Sequence, residues 1–474
     1  MKKQNELNNS ISTSDSGLRL GCLSFTEVIA QSISNIAPSA TPAFTIPMVF
    51  ALAGNGTWLT YAFATIAVIL IGYHINQFAK RSSSPGALYT YVGSGMGGRA
   101  GFLSGWSLII AYILTGCATL GGFGNYLNVL GGYVGISVPS IVAFAFAALV
   151  ASFMVYRDVK VSAKMMLVFE GLSLAVIFIL GAVVLGKHGI NVDMAQVSLD
   201  GVSFDSLRLG LVLAFFSFVG FESAASLGDE AKNPLKNIPK SVIISAVFVG
   251  IIFIVFSYIE VMGFAGSEIP LNESPAPLTY LAEQSGFGFI GIIISVGATI
   301  SFFSCTVACM TASARIILSM AQDKLMHDSL AKTHEKHNTP YGAVKIIGAA
   351  TFIIPAVLAL FGTNGMDIFS WLGTIATLGF LFSYAMVVIS APMYLAKIKE
   401  LKVTNVITSV FTMLVLLIPI VGSVYPLPAY PFNLFPFIFL AWLAVGLVWY
   451  SIKNNERESF DEELDEGIAV DMKN

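Results

Sequence analysis

The chain has 474 residues, of which 55% are hydrophobic and 11% charged, and its formal net charge is -3. Soluble domains carry about 25% charged residues, so the roughly three soluble domains that fit this length are excluded, because so few charges could not cover them. The mean hydropathy is +0.78, and no basic tract points to nucleic acid.

In chain order, residues 1–20 form a polar tail without the apolar core of a signal peptide, so the first apolar segment is expected to act as an uncleaved insertion signal. Apolar runs of about one bilayer crossing then recur. The reading gives twelve spans: 25–53, 57–79, 100–130, 137–156, 164–186, 208–228, 241–264, 289–321, 343–362, 366–396, 404–422 and 433–452. Each must be helical, since hydrocarbon offers backbone polar groups no partner. With the N-terminus in the cytoplasm, all 25 Lys and Arg residues except Lys187 and Arg208 fall on the cytoplasmic side, as the positive-inside rule requires. The loop 265–288 carries Glu268, Glu273 and Glu283 without a base, and 454–474 reads as a solvated acidic tail. The expected organisation is therefore a tail (1–20), spans 1–5 (21–190), spans 6–10 (205–400), spans 11–12 (401–453) and the acidic tail.

Two spans are not ordinary helices. Span 1 contains Ser34-Asn35-Ile36-Ala37-Pro38-Ser39-Ala40-Thr41-Pro42, in which each proline removes a backbone donor and crowds the preceding turn. Span 6 carries Gly220 and Glu222 within a run of small residues. Either alone reads as a kinked packing helix. Interrupted helices at matching places in two five-span halves point to a transporter site, where broken ends expose amides and carbonyls to a ligand.

The residues around these breaks carry a resemblance. Phe216-Ser217-Phe218-Val219-Gly220-Phe221-Glu222-Ser223-Ala224 is followed by Glu230-Ala231-Lys232-Asn233-Pro234 and Asn237-Ile238-Pro239. Supporting matches are Ser84-Pro85-Gly86-Ala87-Leu88-Tyr89, Gly101-Phe102-Leu103-Ser104-Gly105-Trp106 and Ala314-Arg315. With these motifs the chain resembles the amino acid-polyamine-organocation permeases over nearly its whole length. The resemblance implies an all-α protein of 12 transmembrane helices, with a LeuT-like 5+5 inverted repeat, helices 1 and 6 broken, and helices 11 and 12 added. It implies secondary transport of amino acids or related amines by alternating access in the cytoplasmic membrane, with both termini cytoplasmic.

The same resemblance assigns substrate contacts. Pro38-Ser39-Ala40 stands where relatives carry Gly-Ser-Gly, leaving Ser39 and Ala40 amides for a substrate carboxylate, with Ala37 and Thr41 beside them. Ile36 falls where a carbonyl meets the substrate amine, Phe216 where an aromatic gate stands, and Val219 where a second carbonyl is offered. Ser173 occupies the position at which many proton-coupled relatives carry a lysine, and Lys164 reads as a snorkelling residue.

An acid at bilayer depth faces a cavity or a partner. Glu222 and Glu170 are the clear cases, each either a proton-coupling group or a structural one. Glu27 and Glu260 read as interfacial, and His74 as structural. Ser301, Ser304 and Thr306 are a possible sodium site or hydroxyls bonded back to their own helix. The four cysteines read as small buried residues. The expected partners are a small-molecule substrate, a coupling ion (proton or sodium) and the lipid bilayer. No cofactor, metal site or enzymatic constellation is expected, and no channel element. The alternatives within transport are a polyamine carrier with Glu222 as the counter-charge, or a sodium-coupled amino acid symporter.

Overall fold

The computed structural model describes residues 14, 16–157, 159–189, 192–425 and 427–471; the side chains of 159–163, 188 and 455–471 are outside that description. The acids assigned to the C-terminal tail, and Lys2, Lys3, Lys160, Arg457 and Lys473, therefore lie outside the described side chains. The described residues are helical apart from turns and one isolated bridge between Leu23 and Ala231.

The order is α1 (Phe25–Ile36), a π-turn (Thr41–Thr45), α2 (Ile46–Ala53), α3 (Thr57–Ala79), α4 (Leu88–Met96), α5 (Gly98–Gly132), α6 (Ser140–Arg157), α7 (Val159–His188), α8 (Met194–Val197) and α9 (Phe204–Phe216). A 3-10 turn (Ser223–Leu227) leads to α10 (Pro234–Gly263), α11 (Pro277–Gln284), α12 (Gly288–Gln322), α13 (Tyr341–Leu360), α14 (Gly365–Lys397), α15 (Val403–Gly422) and α16 (Phe435–Asp471).

Ten described segments are long and apolar enough to cross a membrane, against the twelve read from the sequence. The difference falls in two places. Residues Phe25–Ala79 form one continuous apolar stretch, in which the turn Gly54–Gly56 separates α2 from α3. Span 6 is not among the ten, because α9 has 13 residues before its chain breaks.

Burial sorts the helices. In α5, 89% of the most apolar window is inside the protein, against 33% in α6, α13 and α15 and 17% in the segment Phe432–Asn454. The long helices α12 and α14 pack on α5, where its glycines and other small residues allow close approach. The peripheral helices turn Phe146, Leu149, Ile407 and Phe437 outward, as lipid-facing surfaces do. Trp106 of α5 stacks on Trp442 of α16 with centroids 4.4 Å apart, and each indole donates to the other's carbonyl.

The face that carries most of the basic residues is closed by the segment before α1. Leu23 N–H donates to the Glu230 carbonyl at 2.8 Å, and Lys232 N–H donates to the Leu23 carbonyl at 2.7 Å. Ser16 Oγ donates to Asp229 Oδ2, Gln322 Nε2 donates to the Ser16 carbonyl, and Leu18 is buried. Beneath this strap Arg315 and Glu230 form a buried bidentate pair, with Nε–Oε2 at 2.5 Å and Nη2–Oε1 at 2.9 Å.

Glu260, read as interfacial, stands three residues from the end of α10 and is fully buried within the protein. Glu27 instead caps α1, accepting the Ser24 N–H at 2.7 Å.

Candidate functional site

The break after α1 follows from local chemistry. Pro38 disfavours helical geometry in the residue before it, and Ala37 takes φ 52, a left-handed conformation rare outside glycine. Strain of this kind persists where the surroundings over-determine it, and it clusters at functional sites. The chain resumes as the π-turn that contains Pro42.

The second break follows α9. Residues 217–222 form turns in which Gly220 has φ +85. Glycine is needed there for a second reason. A Cβ at position 220 would stand 2.5 Å from Asn35 Cγ, so the two interrupted segments meet closely at this point. They are tied further by Ala224 N–H donating to Ser32 Oγ at 3.2 Å and Ser223 Oγ to the Gln31 carbonyl at 3.3 Å.

Between the breaks is a cavity that is nearly closed in this conformation, with a free volume of about 20 Å³. Ile36, Ala37, Ala40 and Thr41 line it from the first break, and Phe216 and Val219 from the second. Asn35, Thr45 and Ser217 complete these segments; α5 adds Thr115 and Thr119, α12 adds Phe302 and Cys305, and α14 adds Phe369. No lining side chain is charged. Phe216 meets Phe369 edge-on at 5.2 Å, and its ring lies against Gly373, where a Cβ would come within 2.5 Å of Cζ. Phe44 joins the cluster 4.8 Å from Phe369 and 5.7 Å from Phe302. A larger polar hollow of about 370 Å³ lies at the surface near Lys187, Glu268 and Gln284, and neither break contributes to it.

The structure departs from the sequence reading at Ser39, which does not line the cavity. Its N–H donates to Glu170 Oε1 at 2.8 Å, and its hydroxyl donates to the same oxygen. The Ala40 and Thr41 amides turn back to the Ala37 carbonyl, and the Ala37 amide bonds to Ile33. In this conformation the amides expected to face a substrate carboxylate are thus engaged within the protein.

Glu170, on α7, is 1% exposed, and its Oε2 has no hydrogen-bond partner among the described residues. Ser301 of α12 interacts with this carboxyl, although its Oγ completes no hydrogen bond of good geometry. Ser173, one turn along α7, is also buried with an unpartnered Oγ. Carboxylate and hydroxyl oxygens therefore gather where the first break, α7 and α12 converge. Ser304 is buried on α12 and does not line the cavity. Thr306 bonds back to the Phe302 carbonyl and to Thr119.

Glu222 is the last residue of the second break. Tyr112 Oη donates to its Oε1 at 2.7 Å, and Tyr384 Oη to its Oε2 at 2.6 Å. All three side chains are buried. Both carboxylate oxygens are thus committed, and Glu222 ties α5 and α14 to the interrupted helix. Asn35 holds the other side of the cavity floor, with Cys309 Sγ donating to its Oδ1 and Cys305 Sγ to its carbonyl, each at 3.0 Å. His74 bonds to Thr412, and no described group of three or more His, Cys, Asp or Glu could hold a metal.

Sequence reading did not find Thr115, Thr119, Phe302, Cys305 or Phe369 as cavity residues. The four-residue spacing of Thr115 and Thr119 puts them on one helix face, which is a weak signal. Phe302, Cys305 and Phe369 gave none, since their helices are distant in sequence.

Two helices interrupted beside a buried, uncharged cavity, within an otherwise apolar helical body, are the architecture of a membrane permease. A model of the amino acid permease family matches residues 27–463, and the chain belongs to that family. The branched-chain amino acid permease BcaP of Bacillus subtilis (strain 168) is 24% identical over 330 residues, 65% of this chain and 69% of that protein. Cationic amino acid transporter 4 of Homo sapiens is 26% identical over 373 residues, 74% of this chain and 57% of that protein, so the match spans a little over half its length. The methylthioribose transporter of Bacillus subtilis (strain 168) is 23% identical over 453 residues, 91% of this chain and 90% of that protein. The chain is thus a transporter rather than an enzyme.

Proposed function

We propose that this permease moves amino acids across the cytoplasmic membrane by alternating access at the cavity between the two interrupted helices, with both termini in the cytoplasm. The observation that carries this reading is the lining. Residues from both breaks meet there, they offer main-chain dipoles and hydroxyls, and no side-chain charge is among them. A zwitterion with an uncharged side chain suits such a lining. A second cationic group would have no counter-charge, and burying an unpaired ion is costly. Glu222 is not among the lining residues, and its carboxyl oxygens face the hydroxyls of Tyr112 and Tyr384. This weighs against the polyamine reading.

In this proposal the substrate carboxylate takes the Ala40 and Thr41 amides from the Ala37 carbonyl, the Ile36 and Val219 carbonyls face its amine, and Phe216 is the gate. Glu170 holds the coupling proton, which enters as the Ser39–Glu170 contact loosens. A second reading, a sodium ion held by Glu170, Ser301 and Ser304, is supported by the unpartnered oxygens of Glu170 and Ser301. Both readings take the chain as two five-helix halves with α15 and α16 added.

The test is uptake into proteoliposomes against a panel of branched-chain, small neutral and cationic amino acids, putrescine and methylthioribose, with an acid-outside gradient or with sodium. The expected result is accumulation of neutral amino acids under the proton gradient. Accumulation that needs sodium would select the second reading. Transport of putrescine or arginine in preference to neutral amino acids would overturn the substrate assignment.

A further inference from the structure

One buried acid has no part in the site above. Glu260 is 0% exposed, and neither of its carboxyl oxygens has a hydrogen-bond partner among the described residues. Among the described residues no basic side chain is paired with it, and its neighbours Ile259 and Val261 on α10 are buried and apolar. A buried acid without a hydrogen-bond partner is costly, and each such orphan in a folded protein has a reason.

α10 packs on α3 and on the π-turn after α1, the Tyr61 ring of α3 lies 5.5 Å from Phe253 of α10, and Tyr61 and Tyr126 of α5 are the titratable groups within electrostatic reach of Glu260 among the described residues. Other titratable groups on the helices packed against α10 are engaged elsewhere. Glu27 accepts from Ser24, His74 bonds to Thr412, and Glu170 accepts from Ser39. Tyr73 accepts from Asn405, Tyr280 from Gln284 and Glu283 from Tyr133, while Lys187 donates to the Gln284 carbonyl and Lys164 is exposed.

The two tyrosines are themselves bonded to the moving parts. Tyr61 Oη is 3.0 Å from Ser217 Oγ, in the break after α9, and Tyr126 Oη donates to the Ala43 carbonyl, in the π-turn after α1, at 2.6 Å. Both tyrosine hydroxyls are thus bonded to an interrupted segment.

We propose that Glu260 is a second proton-binding site, whose occupancy is set by the positions of the two interrupted helices. The proposal rests on the reading of this chain as a secondary transporter. While Ser217 and Ala43 hold the tyrosine hydroxyls, the carboxyl keeps its proton. When the segments shift, Tyr61 and Tyr126 are freed to donate to the carboxylate, the O–H bond breaks and the proton passes to water. Reloading forms that bond again from a water-borne proton, and no electron changes hands.

The test uses the full chain in liposomes without any substrate, followed by infrared spectroscopy across a pH titration. A protonated-carboxyl band should be present in the wild type, missing in Glu260→Gln, and shifted in Tyr61→Phe and Tyr126→Phe. The tyrosine variants keep the acid itself, so they decide the matter if Glu260→Gln does not fold. A Glu260→Gln spectrum that superimposes on the wild type, or tyrosine variants that leave every carboxyl band in place, would overturn the proposal. In uptake of labelled leucine, Glu260→Gln should lose at least fivefold of the stimulation by an acid-outside gradient while keeping leucine exchange. Unchanged stimulation would overturn the coupling role. Failure of the transport reading would show differently, as wild-type protein that moves nothing in the panel while its infrared bands remain.

Discussion

Ser39 donates its backbone N–H to Glu170 Oε1 at 2.8 Å, so a carboxylate of the protein itself occupies an amide at the break after α1. The bond joins α7 to the interrupted helix at the edge of the cavity, and one carboxyl oxygen is left without a partner. Any rearrangement that opens the break must exchange this contact.

Replacing Glu170 should therefore separate binding from coupling. A hydrogen bond to a charged group contributes about 1.5–3 kcal/mol. Glu170→Gln should reduce gradient-driven uptake at least tenfold while exchange persists. Ser39→Ala keeps the backbone donor and should lose less. Initial rates measured with and without the gradient check both, and Glu170→Gln retaining full accumulation would remove Glu170 from the coupling step.

Phe216 closes the cavity against Phe369 and Gly373. Phe216→Ala should destabilise the protein by about 3–5 kcal/mol, as truncation of a buried aromatic does. Phe216→Leu keeps most of the volume and removes the ring. It should hold the melting temperature within a few degrees while substrate affinity falls. Thermal unfolding and binding measured on the same preparation separate the two effects.

Glu222 ties α5 and α14 to the second break through Tyr112 and Tyr384. Tyr112→Phe and Tyr384→Phe each remove one hydrogen bond to Glu222. Turnover should fall in each, with substrate binding retained, because neither hydroxyl lines the cavity. Equal losses of binding and turnover would instead make these tyrosines part of the substrate site.

The Arg315–Glu230 pair lies under the N-terminal strap. Removing one partner of a buried pair costs about 3–5 kcal/mol, since the other charge is left unpaired, so Glu230→Gln should lower stability by that amount. Deleting residues 1–17 removes Ser16 and its bonds to Asp229 and Gln322 while leaving the pair intact. Amide hydrogen exchange at 229–232 should then quicken without a comparable loss of global stability.

The sequence alone was enough to establish a polytopic helical membrane protein and the two segments that break, while the resemblance drew attention to Ile36, Ala37, Ala40, Thr41, Phe216 and Val219, which line one cavity. Those features are local. Hydropathy sets helix length against bilayer thickness, and Pro38 and Gly220 interrupt helices through their own backbone chemistry. Tertiary structure alone decided that Ser39 faces Glu170, that Glu222 is bound by Tyr112 and Tyr384, that Phe302, Cys305 and Phe369 complete the cavity, and that Glu260 is buried without a hydrogen-bond partner among the described residues. Each of these depends on which face a helix turns to its neighbours. In a membrane interior, where apolar residues serve equally against lipid and against protein, hydropathic periodicity does not mark that face.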